Sequence, residues 1–497
     1  AMMEDILAAW AFAVQHQYWE WLSGAVYAFA QLYLLRGLYA EGERLLAETI
    51  QTLRQAPVTP AEVLARLQVA WSRLIGRLEP RQEVEAALRE ALHLNHDDAV
   101  RVDILTELGW RVYIAGRTTE ADVWLQEALA ITTQQSDPRR RAYALNRMAA
   151  ICQRRGDGAH ALCYLEEALA LARQTDDLTL TGVVLLNLSI YYREAGDAER
   201  TLALLTEVQA IHRLQRNTRM EVSALFELGI WHDARRRYIE AQQYYQQALE
   251  LAEAIPDLTL MLEIWINIGI SRDQMGDYSG ALAATLHALN TEALVNHPEM
   301  RCTILANLSL HYHHLEEQTK ALEYAQMTIA LAETIEMPTM AAYGYDFQGH
   351  ALLALQRPTE AEAAYRQALT LRQQIGLTLQ AYESRAGLAR VKLAMGDLAD
   401  AAAWVAPIAA HLLGDVLEGV EEPLRVYWTA YTVLQAMDDP RTDAILTRAL
   451  DLLHHSAAQI SDPVSRQRYL TQIEAHQRLL QAAARGVNRC SLAAQLP

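Results

Sequence analysis

The stretch GDGAHALCYLEEALALARQTDDLTLTGVVLLNLSIYYREAGD, residues 156–197, opens and closes on the same dipeptide, Gly-Asp, forty residues apart. The dipeptide returns at Gly276-Asp277 and at Gly396-Asp397, again at multiples of forty residues. A constant period of roughly 20 to 50 residues is the signature of a repeat protein, in which each repeat is one small structural unit. We therefore interpret the chain as an array of forty-residue repeats.

Aligned in blocks of forty, the chain shows columns of small side chains, which allow two helix backbones to approach closely. The spacing is unbroken from about Gly109 to Ala401. A stacked array needs this, because a change of length in one repeat would misplace the next. The first column is Gly109, Ala149, Ser189, Gly229, Gly269, Ser309, Gly349 and Ala389. The second column, twelve residues further on, is Ala121, Ala161, Thr201, Ala241, Ala281, Ala321, Ala361 and Ala401.

Each block has room for two helices of about fifteen residues, which are amphipathic but too short to be stable alone. Glycine between them supplies the left-handed residue that ends the first helix, and the aspartate after it suits the start of the second. We predict turns near residues 116, 156, 196, 236, 276, 316, 356 and 396. Where glycine is missing, as at Arg236 and Glu316, the columns continue, so we expect the turn to persist there too.

These columns resemble those of the tetratricopeptide repeat family, and the segments NLSIYYREAGD (187–197) and TLALL (201–205) match it well. The resemblance covers about Tyr18 to Ser456, although the family's common repeat is shorter. The long form is similar to the repeats of kinesin light chains and of bacterial sensor arrays. It implies an all-α fold, a right-handed superhelix of about eleven antiparallel helical hairpins.

Both ends of the chain depart from the repeat pattern, as terminal caps do. We expect a capping helix within residues 1–22, the array over 23–456, and a capping helix with a tail over 457–497. The predicted first helix, Glu4 to Trp21, is rich in aromatic residues, which either cap the array or pack against a missing partner. The segment from Pro423 onward resembles the end of repeat arrays in STAND-type signal-transduction ATPases, whose best-known relatives are maltotriose-responsive activators.

Composition narrows the class of partner. The net charge of -18 argues against nucleic acid and against anionic membranes, since both require a basic surface. The start of the chain has no basic region before its apolar run, and no apolar run reaches transmembrane length, so we expect a cytoplasmic protein.

Motifs that carry chemistry are missing from the sequence. It contains no GxxxxGK[ST], GxSxG, HExxH or CxxC, so we expect no enzyme, no cofactor and, in a STAND protein, an ATPase domain outside this chain. His311 and His314 share a helix face and are a feasible metal-ligand pair. The alternative, which we adopt, is that these are satisfied histidines at a polar helix end and that there is no metal site.

The array offers a surface instead. One repeat position reads Glu107, Arg147, Asn187, Glu227, Asn267 and Asn307. Asparagine is a poor helix former, so three of them at one position need a reason. In peptide-binding members of the family, asparagine at this position bonds the main chain of the peptide. Alternatively, these side chains tie adjacent helices together. The candidate ligand-binding residues in the concave groove are Tyr143, Arg147, Asn187, Arg193, Glu227, Asn267, Asp273, Asn307 and His311.

The function that we expect is non-catalytic recognition, by the sensor or scaffold part of a bacterial signalling or regulatory protein. Its ligand would be a peptide, a protein segment or a small effector in the groove. The alternative is a structural adaptor that assembles protein partners through its convex face or its ends.

Overall fold

A computed structural model describes residues 2–36, 38–57, 60–75, 82–215, 217–255, 257–295, 297–415, 417 and 419–493. Within these ranges the chain forms 25 α-helices and no strand, which confirms the all-α class. None of these helices is long and apolar enough to cross a membrane.

The helices follow one another along the chain with short connections. They are α1 Met2–Gln15, α2 Trp19–Arg36, α3 Tyr39–Arg54, α4 Ala61–Leu74, α5 Gln82–Leu94, α6 Asp98–Ile114, α7 Thr118–Gln135, α8 Pro138–Arg154, α9 Gly158–Gln174, α10 Leu178–Glu194, α11 Ala198–Gln215, α12 Thr218–Asp233, α13 Tyr238–Ala252, α14 Leu258–Gln274, α15 Tyr278–Val295, α16 Pro298–His314, α17 Gln318–Thr334, α18 Pro338–Ala354, α19 Pro358–Gln374, α20 Ala381–Ala394, α21 Leu398–Gly414, α22 Pro423–Ala436, α23 Thr442–Ala458, α24 Pro463–Thr471 and α25 Glu474–Ala493.

The chain divides into two compact units, each described by itself below. Unit 1 comprises Ala1–Trp231 and Gln247–Asp257. Unit 2 comprises His232–Gln246 and Leu258–Pro497. In both units consecutive helices pair into hairpins, such as α8 with α9 in unit 1 and α18 with α19 in unit 2. These hairpins confirm the repeat architecture that the spacing predicts.

All eight predicted turns are present, and each has a residue in the left-handed conformation. At the turn of Gly156, for example, the Asp157 amide donates a backbone hydrogen bond of 2.9 Å to the Cys152 carbonyl, as in other helix C-caps. Asp157 then caps α9 by accepting from the His160 amide. The residues with positive φ are Gly116, Gly156, Gly196, Arg236, Gly276, Glu316, Gln356 and Gly396.

A second series of turns, which the sequence analysis missed, lies midway between the first. It joins one hairpin to the next, and it uses the left-handed residues Ser136, Asp176, Glu336 and Gly376. Three of these four residues are not glycine, so no glycine pattern marks them. The corresponding positions 216, 256 and 296 lie outside the described residues.

The small-residue columns are buried. Ala161, Ala241 and Ala281 are each 0% exposed, as the second column predicts. A Cβ atom on Gly109 would lie 2.8 Å from Cγ of Leu125, closer than side chains pack. The missing side chain therefore allows α6 to approach α7.

Both ends differ from the predicted single capping helices. The first helix ends at Gln15 because Gln17 adopts a φ of 58°, and α2 begins at Trp19. The prediction of one helix from Glu4 to Trp21 is therefore wrong. At the other end, residues beyond 456 form two helices, α24 and α25, while residues 494–497 of the expected tail lie outside the described part.

Candidate recognition surface

The first helices of the hairpins carry all nine predicted site residues, because the residues were chosen by their repeat position. Unit 1 contains five of them, on α8, α10 and α12, and unit 2 contains four, on α14 and α16. First helices of neighbouring hairpins pack side by side, as α6 does with α8 and α14 with α16. We call the side chains that these helices present together the first-helix face of each unit.

Unit 1 has an ion-pair network on this face that the sequence analysis did not single out. Arg73 bonds Asp103 at 3.2 Å and Glu107 at 3.0 Å, and Arg140 bonds the other oxygen of Asp103 at 3.0 Å. Asp103 and Glu107 are only 7% and 6% exposed. Two arginines thus satisfy two buried carboxylates, and this part of the face is already neutralised.

Arg147 is placed differently, although it lies on the same face. Its guanidinium lies 4.0 Å from the ring centroid of Trp110, in cation–π contact. Among the described residues no carboxylate lies within ion-pair distance of it. Burial lowers the pKa of Arg147, although Glu107 partly compensates. Arg147 is therefore a half-buried cation without an ionic partner.

Tyr143 lies one turn before Arg147 on α8. Its ring is contacted by two guanidinium groups, that of Arg73 at 5.8 Å and that of Arg139 at 5.7 Å. Burial raises the pKa of the Tyr143 hydroxyl, so this group is a neutral donor. The structure thus brings Tyr143 close to two cations and leaves its ring half-buried.

Asn187, Arg193 and Glu227 complete the predicted set in unit 1. The Asn187 amide donates to the side-chain oxygen of Asn146 at 2.7 Å, which joins α10 to α8. Arg193 forms an ion pair with Glu227 at 3.3 Å. Burial raises the pKa of Glu227 and Arg193 opposes the shift. These three side chains have partners within the unit, in contrast to Arg147.

In unit 2, Asp273 is the centre of a histidine cluster. Nδ1 of His311 and Nδ1 of His314 lie 2.8 Å and 3.0 Å from the same oxygen of Asp273. Burial lowers the pKa of His314, but the carboxylate of Asp273 outweighs it and raises that pKa to about 10. Nε2 of His311 bonds the Thr285 hydroxyl at 3.1 Å. Both ring nitrogens of His311 are therefore engaged.

Asn267 and Asn307, the other two predicted residues of unit 2, differ from each other. The Asn267 amide donates to the Glu263 carbonyl of its own helix at 2.9 Å. The amide nitrogen of Asn307 is buried and has no hydrogen-bond partner among the described residues. Neither one reproduces the interhelical bond that Asn187 makes.

A second buried cluster of unit 2 was also missed from the sequence. Arg372 bonds Asp346 at 2.6 Å and Glu383 at 3.1 Å, and the Ser384 hydroxyl donates to Asp346 at 3.1 Å. Burial raises the pKa of Asp346 to about 6, although Arg372 opposes this shift. The described part of the chain contains no group of three or more His, Cys, Asp or Glu side chains suited to a metal ion.

Two segments of the chain match a family model. Residues 140–213 and 220–291 match the tetratricopeptide repeat model. These two segments are similar to tetratricopeptide repeats. A comparison with curated protein sequences finds no match.

Two solved structures share the fold. A Rap protein complexed with competence and sporulation factor is 14% identical, with a TM-score of 0.54, over 71% of this chain and 98% of that one. The apo form of the quorum sensor NprR from B. thuringiensis is 15% identical, with a TM-score of 0.50, over 71% of this chain and 99% of that one. At these identities the likeness of this chain to them concerns the fold alone.

A STAND protein also matches, with a lower TM-score. It is the signal transduction ATPase with a tetratricopeptide repeat sensor from Pyrococcus horikoshii, 11% identical, with a TM-score of 0.46, over 82% of this chain and 71% of that one. A likeness at this TM-score carries no argument about the role of this chain.

Proposed function

We propose that this chain is a non-catalytic recognition protein, which binds a peptide or protein segment on the first-helix face of unit 1. The role fits the sensor or scaffold part of a bacterial signalling or regulatory protein. Stacked hairpins of this kind present an extended surface for partners. The complex of a Rap protein with competence and sporulation factor supports the proposal by example, since the fold there accommodates a bound factor.

The observation that carries the proposal is the unpaired guanidinium of Arg147 over Trp110. Holding a cation in a half-buried site without an anion costs free energy, because burial disfavours the charged form. A carboxylate of a ligand would remove this cost and could bind the planar guanidinium through two parallel hydrogen bonds. We therefore expect the ligand to present an acidic side chain or a chain terminus to Arg147.

The test begins with selection of binders from a displayed peptide library on the purified protein. Affinity for a selected peptide is then measured by calorimetry for Arg147→Gln and for Arg154→Gln. Arg154 is a matched control, because it lies on the same helix and stacks on Tyr113 at 4.6 Å, but it is exposed. A hydrogen-bonded charge is worth about 1.5–3 kcal/mol, so Arg147→Gln should weaken binding at least tenfold, and Arg154→Gln should not.

A library that yields no binder would count against recognition by this surface. So would a peptide that binds Arg147→Gln as tightly as it binds the unaltered protein. Acidic residues among the selected peptides, enriched over the starting library, would support the role assigned to Arg147.

The alternative function, an adaptor that joins partners through an end of the array, is favoured by one observation. Phe12, Tyr18 and Trp21, near the start of unit 1, are 52%, 54% and 52% exposed. Exposed aromatic groups are enriched at protein interfaces. If a partner protein binds there, Trp21→Ser should abolish its binding and Arg147→Gln should leave it unchanged.

A further inference from the structure

Unit 2 contains a second arginine without an anionic partner, Arg390 on α20. Its Nη1 donates to the Thr429 hydroxyl of α22 at 3.1 Å. Its Nε is buried and has no hydrogen-bond partner among the described residues. No carboxylate of the described chain lies within ion-pair distance of this guanidinium. The Tyr365 side chain forms a further hydrogen bond with this guanidinium, so Nε is the donor of Arg390 that lacks an acceptor.

A second guanidinium lies close by on α22. Arg425 forms an ion pair with Glu422 at 2.7 Å, and this carboxylate is its only ion-pair partner among the described residues. Burial lowers the pKa of Arg390, and the positive charge of Arg425 lowers it further. The two cations thus face one carboxylate, and one positive charge is left without compensation.

The remaining groups around Arg390 are neutral donors and acceptors. His350 bonds the Tyr365 hydroxyl through Nδ1 at 2.5 Å, and its Nε2 lies 3.9 Å from Glu422. The His313 ring is centred 5.5 Å from that of His350. Burial, with the charge of Arg425, lowers the pKa of His313 to about 3 and also lowers that of His350. Both imidazoles are uncharged at neutral pH. His313 donates from Nδ1 to the Gln318 side chain at 2.8 Å, and its Nε2 accepts from Nη2 of Arg425 at 3.4 Å.

Other acids of unit 2 do not neutralise Arg390. Asp346 and Glu383 bond Arg372, and Asp273 bonds His311 and His314. Burial raises the pKa of Glu421 to about 7, and the nearby carboxylate of Glu383 adds to the shift. Glu421 is therefore a mixture of neutral and ionised forms near pH 7.

We propose that Arg390 and Arg425 form a binding site for one oxyanion, the carboxylate or phosphate group of a small ligand. The Thr429 hydroxyl accepts from Nη1 of Arg390, and Nε, which has no acceptor among the described residues, can donate to an oxygen of the anion. Arg425 supplies the second charge and shares Glu422 with His314, whose Nε2 lies 3.5 Å from that carboxylate. The site lies in unit 2 and rests on other residues than the peptide surface of unit 1, so the two proposals can fail separately.

The test uses inorganic phosphate and glutarate as probes, each titrated into the full chain at constant ionic strength. Melting temperature and calorimetric affinity are measured for the unaltered protein, Arg390→Gln, Arg390→Lys and Arg385→Gln. Arg385 lies on the same helix and is the matched control for the loss of one positive charge. A ligand that binds only the folded state raises the melting temperature by mass action.

We expect at least one probe to raise the melting temperature of the unaltered protein and of Arg385→Gln. A response to phosphate alone would identify a phosphate site, and a response to glutarate alone would identify a carboxylate site. Arg390→Gln should lose the response and, without a probe, should melt at the same or a higher temperature, because an uncompensated charge is gone. Arg390→Lys keeps the positive charge but lacks the Nε donor of the guanidinium, so its affinity for the probe should fall at least tenfold.

Two results would overturn the site. One is that neither probe affects the unaltered protein. The other is that Arg385→Gln loses the response as fully as Arg390→Gln does, which would mean general charge screening. If Arg390→Gln melts lower without a probe and the probes are inert, Arg390 serves the packing of α20 on α22 instead.

Discussion

The side-chain amide of Asn187 on α10 donates a hydrogen bond of 2.7 Å to the side-chain oxygen of Asn146 on α8. Asn146 is 3% exposed, so water cannot replace this donor. We predict that Asn187→Ala lowers the free energy of unfolding by about 1–3 kcal/mol, the usual cost of a buried polar atom that loses its partner. This change in the free energy of unfolding is measured by denaturant-induced unfolding of the variant and of the unaltered protein.

Asn267→Ala is the control for this prediction. Its amide bonds only a carbonyl of its own helix, and alanine is the better helix former, so stability should stay the same or rise slightly. If Asn187→Ala instead leaves unfolding unchanged and weakens a selected peptide, Asn187 is a ligand contact, and the interpretation as a tie between helices is wrong.

The turns within the hairpins and the packing columns could be predicted because they follow from the period alone, whereas the turns between hairpins could not. Every repeat needs a left-handed residue at its turn and small residues where its helices pack. These residue types therefore recur at a fixed spacing in the sequence. The ionic contacts could not be predicted in this way. Arg372 and Asp346 lie on different helices, and which charged side chains meet depends on packing that has no local pattern. Arg147 was predicted as a site residue, but its position over Trp110 was not.

The turn at Glu316 gives a prediction about backbone strain. Glu316 has a φ of 63°, is exposed, and occupies the position that is glycine in five of the eight turns. Since left-handed backbone is unfavourable for residues with a Cβ atom, Glu316→Gly should raise the free energy of unfolding by about 1 kcal/mol.

The reverse change is available at Gly396, where φ is 79° and a Cβ atom would meet nothing within 4 Å. Gly396→Ala should therefore cost about 1 kcal/mol from the backbone alone. Equal stability of both variants and the unaltered protein would show that these turns relax without strain.

Burial of the second small-residue column gives a prediction about packing. Ala281 is 0% exposed and lies in the α14–α15 hairpin, so Ala281→Leu should force the helices apart. We expect it to lower the free energy of unfolding by about 1–3 kcal/mol. Ala283→Leu, two residues along the same helix and exposed, should change it by less than about 0.5 kcal/mol. Similar losses for both variants would indicate that helix propensity, not packing, is responsible.

The carboxyl group of Asp233 gives a prediction about pH. It accepts hydrogen bonds from the Ser271 hydroxyl at 2.7 Å and from the Tyr245 hydroxyl at 2.9 Å. Burial nevertheless raises its pKa from 3.8 to about 7, against the lowering effect of these two bonds. In the folded protein the group therefore remains protonated over a pH range in which the unfolded chain has already ionised.

The sign of the effect follows from this difference. Below the unfolded pKa both states carry the proton, and the contribution of Asp233 to stability is complete. Between the unfolded pKa and about 7 only the unfolded state ionises, so stability falls as pH rises, by up to about 1.4 kcal/mol per pH unit. Above that range both states are ionised and the loss is constant.

Asp233→Asn should remove this dependence, because the amide oxygen still accepts a hydrogen bond and no proton is released. The measurement is the free energy of unfolding of the variant minus that of the unaltered protein, from pH 4 to 8, which cancels the titration of other groups such as Asp346. We expect this difference to increase in favour of the variant as the pH rises. Ser271→Ala removes one of the two bonds that lower the pKa, so it should extend the loss of stability to higher pH. A difference for Asp233→Asn that is flat across this range would mean that Asp233 ionises in the folded protein as easily as in the unfolded chain.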